Sequence, residues 1–217
     1  VDEALAGFCS EIDVVIKEGD IISVRDNGRG IPTGIQPQKG ISAVEVVFTI
    51  LHAGGKFGGG GYKVSGCLHG VGASVVNALS EWLEVTVYSE GKIHHQTYER
   101  GTPTSPLEVV GETEEHGSLV VFKPDAEIFD EVIFEYEILK NRLRETAFLT
   151  KGLKINLIDE RAEKERSKTF HYEGGIREFV EYVNKSKDAL YENVFYAESE
   201  RDGILVEVAF QHNDGYT

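Results

Sequence analysis

Asp26-Asn27-Gly28-Arg29-Gly30-Ile31-Pro32 follows two short alternating runs, Ile12, Val14 and Ile16 before the turn residues Glu18-Gly19-Asp20, and Ile22 and Val24 after them. Apolar residues at a period of two, broken by turn chemistry, read as a β-hairpin over residues 12 to 25, which sets Asp26 at a strand end. Gly28 and Gly30 there tolerate positive φ or the close approach of a ligand to the backbone, and Pro32 fixes the chain as it leaves the loop. A half-buried carboxylate in that place accepts hydrogen bonds from a donor such as an exocyclic amine. A plain turn after a hairpin is the competing reading, because Asp, Asn and Gly are ordinary turn residues.

Two further glycine-rich stretches lie downstream. Ser42 heads an apolar run to Leu51 as a helix cap would, and His52-Ala53-Gly54-Gly55-Lys56-Phe57 with glycines 58 to 61 follows, too rich in glycine for a regular element. Lys63-Val64-Ser65-Gly66-Cys67-Leu68-His69-Gly70-Val71-Gly72 then leads into Ala73 to Leu79, which has helical spacing. Glycines opening a helix leave amides unsatisfied at its positive end, where a phosphate chain is stabilised, and Lys56 and Lys63 add point charges nearby. A flexible linker remains the alternative for residues 54 to 61. With Gly117-Ser118 as the third stretch, one carboxylate, a row of backbone amides and one hydroxyl can together hold a purine nucleotide. The sequence contains neither Gly-x-x-x-x-Gly-Lys-[Ser/Thr] nor a Gly-x-Gly-x-x-Gly after a strand with an acidic residue some twenty positions on, which disfavours a Walker ATPase and a Rossmann dehydrogenase.

The rest of the chain supplies the scaffold. Trp82 to Tyr88, Lys92 to Tyr98, Leu119 to Phe122, Leu153 to Ile158 and Ile204 to Phe210 read as strands, and Tyr136 to Leu149 and Ile176 to Asn184 as helices. The charged run 159 to 168 reads as a solvated turn between strands. This mixture predicts an α/β fold, a two-layer sandwich of a mixed, largely antiparallel sheet with helices on one face. No run of eighteen apolar residues exists, so no membrane span is expected, and Cys9 and Cys67 match neither a disulfide framework nor a zinc site. The net charge of −15 argues against this segment gripping DNA phosphates by itself. His94 and His95 are adjacent in a strand and point to opposite faces, which rules against a shared metal site.

Asp2 to Gly7, Asp26 to Gly34, Leu51 to Phe57, Tyr62 to Gly72, Ser74 to Ser80 and His171 to Ile176 closely resemble the ATPase region of the gyrase B subunits of bacterial type IIA topoisomerases, with the topoisomerase IV B subunits as the close paralogues. Asp-x-Gly-x-Gly alone is shared with heat-shock chaperones, mismatch-repair ATPases and histidine kinases, so a nucleotide-binding chaperone or sensor kinase domain is the alternative of another class. The resemblance implies an ATP-binding domain over residues 1–172 and the start of an α+β transducer domain over 173–217. It implies ATP with Mg²⁺, a cytoplasmic setting, the gyrase A subunit and a second gyrase B subunit as partners, DNA held through other regions of the parent protein, and inhibitors of the aminocoumarin type. In the parent enzyme, ATP binding and hydrolysis would close a dimeric clamp and supercoil DNA negatively.

Carried over position by position, the resemblance makes Asp26 the acceptor of the adenine amino group, directly and through water. It sets Arg29 against the adenine rim with Glu3 as its ionic partner, lines the turn with Gly28 and Gly30, and walls the base with Ile31, Pro32 and Val47. Lys56, Tyr62 and the amides of Cys67, Leu68, His69, Gly70, Val71 and Gly72 surround the triphosphate, and Ser118 keeps a hydroxyl where the family has Thr. Cys67 replaces a second glycine, and Ser89 stands where many relatives carry Arg at the mouth of the site. The family's water-activating Glu and metal-ligating Asn fall upstream of Val1, and its γ-phosphate lysine falls downstream of Thr217. No catalytic residue and no metal ligand is therefore expected within the chain. By itself the chain is expected to be a part of a longer product that binds ATP poorly and hydrolyses almost none.

Overall fold

The computed structural model describes residues 1–52, 70–161 and 166–215. Along the chain come α1 (Asp2–Leu5), β1 (Glu11–Lys17), β2 (Ile21–Asp26), α2 (Ala43–Thr49), α3 (Gly72–Ala78), β3 (Ser80–Ser89) and β4 (Lys92–Glu99). They are followed by β5 (Thr102–Pro103), β6 (Glu108–Glu112), β7 (Gly117–Pro124), α4 (Tyr136–Leu149), β8 (Lys154–Asp159), β9 (Arg166–Phe170), α5 (Gly175–Asn184), β10 (Phe195–Arg201) and β11 (Ile204–Phe210). The expected hairpin is present with Gly19 at φ +76 in its turn, a conformation that glycine adopts without steric cost. Ser42 caps α2, its hydroxyl accepting from the Glu45 amide at 3.0 Å.

Nine strands form one sheet in the order β5-β4-β3-β7-β2-β1-β8-β9, with β6 pairing β4 off this path. β1 and β8 run parallel; the other pairings are antiparallel, so the sheet is mixed and largely antiparallel. Residues directly opposite one another share a face. The registers therefore align Leu157, Val14, Val24, Val120 and Val85 in one row across five strands. Beside it runs a second apolar row of Ile16, Ile22, Phe122, Leu83 and Tyr98. Tyr136 and Ala147 of α4 cover the β1, β8 end of this face, and Val44 and Phe48 of α2, with Ala73 and Val76 of α3, cover the β3, β4 end. The fold is thus an α/β two-layer arrangement. Strands β5, β6, β9 and β10 are absent from the expectations because they are too short or too exposed to show a clean apolar period.

The charged run joins β8 to β9, as a connection between strands should, with residues 162–165 outside the described ones, but its first residue departs from the expected solvated reading. Asp159 is only 2% exposed and closes β8, where Arg161 donates to its carboxylate at 3.0 Å and Arg166 at 3.1 Å. Arg161 also reaches Asp20 at 2.6 Å and the Phe134 carbonyl at 2.6 Å. These cations hold the Asp159 carboxyl below the ordinary carboxylate range, Arg161 most of all. A buried charge this close to its partners ties the end of β8 to the β1–β2 turn, which a period-based reading has no means of seeing.

Past β9, Phe148 of α4 stacks on Tyr172 with centroids 3.6 Å apart and on Phe179 of α5 at 4.9 Å. β10 and β11 pair as a separate two-stranded sheet, with Phe195 stacked on Phe210 at 4.7 Å. Among the described residues, no helix is long and apolar enough to cross a membrane.

Candidate functional site

Asp26 ends β2 directly opposite Ser118 of β7, and the row they share continues through Ile155 and Ile12 on one side and Val87 on the other. A carboxylate and a hydroxyl thus interrupt an apolar row on the helix-covered face of the sheet. Burial consequently pushes the Asp26 carboxyl up, and the nearby Glu3 charge adds to the rise. Against this, the Gly28 amide donates to Asp26 Oδ1 at 2.8 Å, and the Ser118 side chain opposite also favours the ionised carboxylate. An acid in such surroundings gains from a further donor that is brought in with a ligand.

The turn after Asp26 is braced from three directions. Asn27 Oδ1 accepts from the amides of Ser10 at 2.9 Å and Glu11 at 3.0 Å, and its Nδ2 donates to Ser10 Oγ at 2.9 Å. Glu3 accepts from the Arg29 amide at 2.9 Å and from its guanidinium at 3.1 and 2.8 Å, the fork-to-fork geometry that Arg and a carboxylate favour. His116 Nδ1 donates to the Gly28 carbonyl at 2.7 Å.

The glycines serve different ends. Gly30 sits at φ +80, and a Cβ there would meet the carbonyls of Gly117 and Tyr88 and the Val87 side chain, each at 3.1 Å. Gly28 does not take the positive φ that its motif allows. A Cβ on it would lie 2.9 Å from Asp26 Oδ1 and 3.1 Å from Glu3, so this glycine is set by crowding between two carboxylates.

Ile31 and Val47 pack in the same apolar cluster as Val87, Val120 and Ala73, which brings the exit of the turn, α2 and the first turn of α3 together. Pro32 is exposed. Gly70 takes φ +60, Val71 is the N-cap of α3 without a side-chain cap, and Gly72 begins the helix. Of the expected phosphate-contacting residues, Lys56, Tyr62, Cys67, Leu68 and His69 lie outside the described residues. Three residues that shape the site carry little signal of it in the sequence: Asn27 is ordinary turn chemistry, and the only local signal of His116 is its place before Gly117. The third, Asn77, is fully buried on α3, and its amide donates to the carbonyls of Phe48 at 2.9 Å and Gly101 at 3.3 Å and so ties α3 to the end of α2.

A family model described as histidine kinase-, DNA gyrase B- and HSP90-like ATPase matches residues 1–128. The whole chain is 59% identical to the DNA gyrase B subunit of Halalkalibacterium halodurans, 55% identical to that of Streptococcus pneumoniae and 54% identical to that of Thermotoga maritima. It spans about a third of the length of these curated relatives, 34%, 34% and 35% in turn. Among solved structures, the chain is similar to the 43K ATPase domain of Thermus thermophilus gyrase B in complex with an aminocoumarin. The TM-score there is 0.83 at 43% identity, covering 100% of this chain and 55% of that one.

Proposed function

The chain belongs to the histidine kinase-, DNA gyrase B- and HSP90-like ATPase family, and on that premise we propose that it is the ATP-binding part of a DNA gyrase B subunit, whose parent enzyme uses ATP to close a dimeric clamp and supercoil DNA negatively. The observation that carries this reading is the Asp26–Ser118 pair set into an apolar row at the glycine turn. Asp26 accepts the adenine amino group, so that the charge stranded by burial gains a donor, and Ser118 supports the same contact. Ile31, Pro32 and Val47 wall the base, Arg29 lies at its rim, and the uncapped entry of α3 at Gly70–Gly72 faces the phosphates, with Lys56, Tyr62 and the amides of Cys67, Leu68 and His69 completing their surroundings. An acceptor at Asp26 reads adenine over guanine because the purine position it meets carries an amino donor in one and a carbonyl in the other.

The two carboxylates of the described site are both committed, Asp26 to the Gly28 amide and Glu3 to Arg29. Among the described residues neither is left to activate a water, so the chain is expected to bind nucleotide weakly and to turn over little of it. Mg²⁺ would be brought by the triphosphate and would neutralise part of its charge. Among the described residues no group of three His, Cys, Asp or Glu is placed to hold a metal ion, so no metal step is assigned to them. Residues 1–172 form the nucleotide domain and residues 173–217 open a transducer domain, the division falling where the nine-stranded sheet gives way to α5 and the separate hairpin. Likeness to the Thermus domain in complex with an aminocoumarin supports binding of that inhibitor class. The gyrase A subunit, a second gyrase B subunit, DNA held by other regions and a cytoplasmic setting follow from the same reading.

Calorimetric titration of a non-hydrolysable ATP analogue with Mg²⁺ tests it. The wild-type chain is expected to bind weakly, and Asp26→Asn, which keeps the shape but removes the charge, to bind at least about tenfold more weakly still, the loss of one charged hydrogen bond. Unchanged affinity in Asp26→Asn would remove Asp26 from the site. Supercoiling rather than decatenation by a full-length protein with its partner separates gyrase from topoisomerase IV.

A further inference from the structure

Phe8 follows α1 with its side chain half exposed and lies beside a cation. That cation is Arg29, whose guanidinium carbon lies 3.7 Å from the centre of the Phe8 ring. The same short segment supplies two restraints on Arg29. Glu3 holds the guanidinium edge through Nε at 3.1 Å and Nη2 at 2.8 Å. The amides of Phe8 and Cys9 donate to the Glu3 carbonyl at 2.8 and 3.1 Å, and Gly7 at φ +82 makes the reversal that brings the Phe8 ring back over Arg29. A carboxylate in the plane and an aromatic face across it fix both the position and the tilt of a flat cation. Even so, the Arg29 side chain remains 49% exposed.

We infer that Phe8 is a positioning residue of the nucleotide site: its ring, with the Glu3 carboxylate, holds the Arg29 guanidinium as a ready-made flat shelf for the rim of a bound purine, or for a planar ring system that competes with it. This rests on the nucleotide reading of the site. A long arginine side chain loses rotamer freedom when a ligand immobilises it, and a shelf fixed beforehand removes that cost. The shelf also favours flat ligands over bulky ones at the rim, because only a planar group can lie along a guanidinium whose tilt is already set.

The test uses two readouts on the same 217-residue chain and its variants Phe8→Ala, Phe8→Leu and Phe8→Tyr. The Nε–Hε resonance of Arg29 in arginine-labelled protein reports whether the guanidinium is ordered without ligand, and calorimetry with the non-hydrolysable ATP analogue reports affinity. Wild type and Phe8→Tyr are expected to give a protected, single Arg29 signal. Phe8→Ala and Phe8→Leu should lose that protection and bind the analogue about two- to tenfold more weakly, the ordering cost of one such side chain. Phe8→Leu keeps bulk without the ring, so matching losses in both variants assign the effect to the aromatic face. An unchanged Arg29 signal with unchanged affinity in Phe8→Ala overturns the inference. If wild type binds the analogue too weakly to measure, the ligand-free resonance alone decides, and an Arg29 signal as protected in Phe8→Ala as in wild type overturns the inference.

Discussion

Replacing Gly117 by Ala strikes the point where fold and site meet. Gly117 sits at φ +120, a region that side-chain-bearing residues rarely enter, and holding alanine there costs about 1–3 kcal/mol. The added methyl would overlap the Asp26 carbonyl oxygen and lie 2.9 Å from the Asp26 carbonyl carbon and 3.1 Å from Asn27 Cα, all backbone atoms that cannot swing aside. Relief requires β7 to move off β2 at the Asp26–Ser118 pair, an overpacking cost of about another 1–3 kcal/mol. The total destabilisation expected is about 2–6 kcal/mol. Urea unfolding followed by circular dichroism measures it, with Gly34→Ala as control, since a Cβ on Gly34 meets nothing within 4 Å. Because the displacement separates Asp26 from Ser118, the affinity for the ATP analogue should drop at least about tenfold under conditions where the variant is still folded. A Gly117→Ala protein with wild-type unfolding midpoint and wild-type affinity would refute the claim that this close approach builds the site.

Two further outcomes depend on charge. Burial raises the Asp26 carboxyl in the free protein, so its proton is held more tightly folded than unfolded: its own contribution to stability is greatest below the unfolded value near 4 and is lost as pH rises through the raised folded value. The ionised form is also the one that accepts the adenine donor. Affinity measured against pH should therefore fall on acidification from above the ordinary aspartate range, and Asp26→Asn should abolish that dependence. Asp159 behaves in the opposite sense. Its carboxyl is held low, so its contribution is present above a pH near 4 and is lost as pH falls through the depressed folded value. Arg161→Ala leaves that buried charge with Arg166 as its ion-pair partner among the described residues and should cost about 3 kcal/mol at neutral pH, read as a lower urea midpoint, with a smaller deficit in acid.

Local chemistry in the sequence was enough to specify the β1–β2 hairpin, the Ser42 cap, the helices α2, α4 and α5, and the glycine turn after Asp26. Each rests on residues within a few positions of one another, where periodicity and turn preference act. The family motifs added the list of nucleotide contacts, although Gly28 turned out to be fixed by crowding between Asp26 and Glu3 and not by a positive φ.

Only the tertiary structure decided that β7 inserts between β3 and β2, which puts Ser118 opposite Asp26, and that β8 runs parallel beside β1, which brings Asp159 and Arg161 to the Asp20 turn. It likewise turned the segment after α1 so that Glu3 and Phe8 meet Arg29 from two sides. Pairings between distant strands are set by which faces bury together and by register, a shift of one residue moving every side chain to the other face. No short stretch of sequence carries that choice, and the candidate site exists because of it.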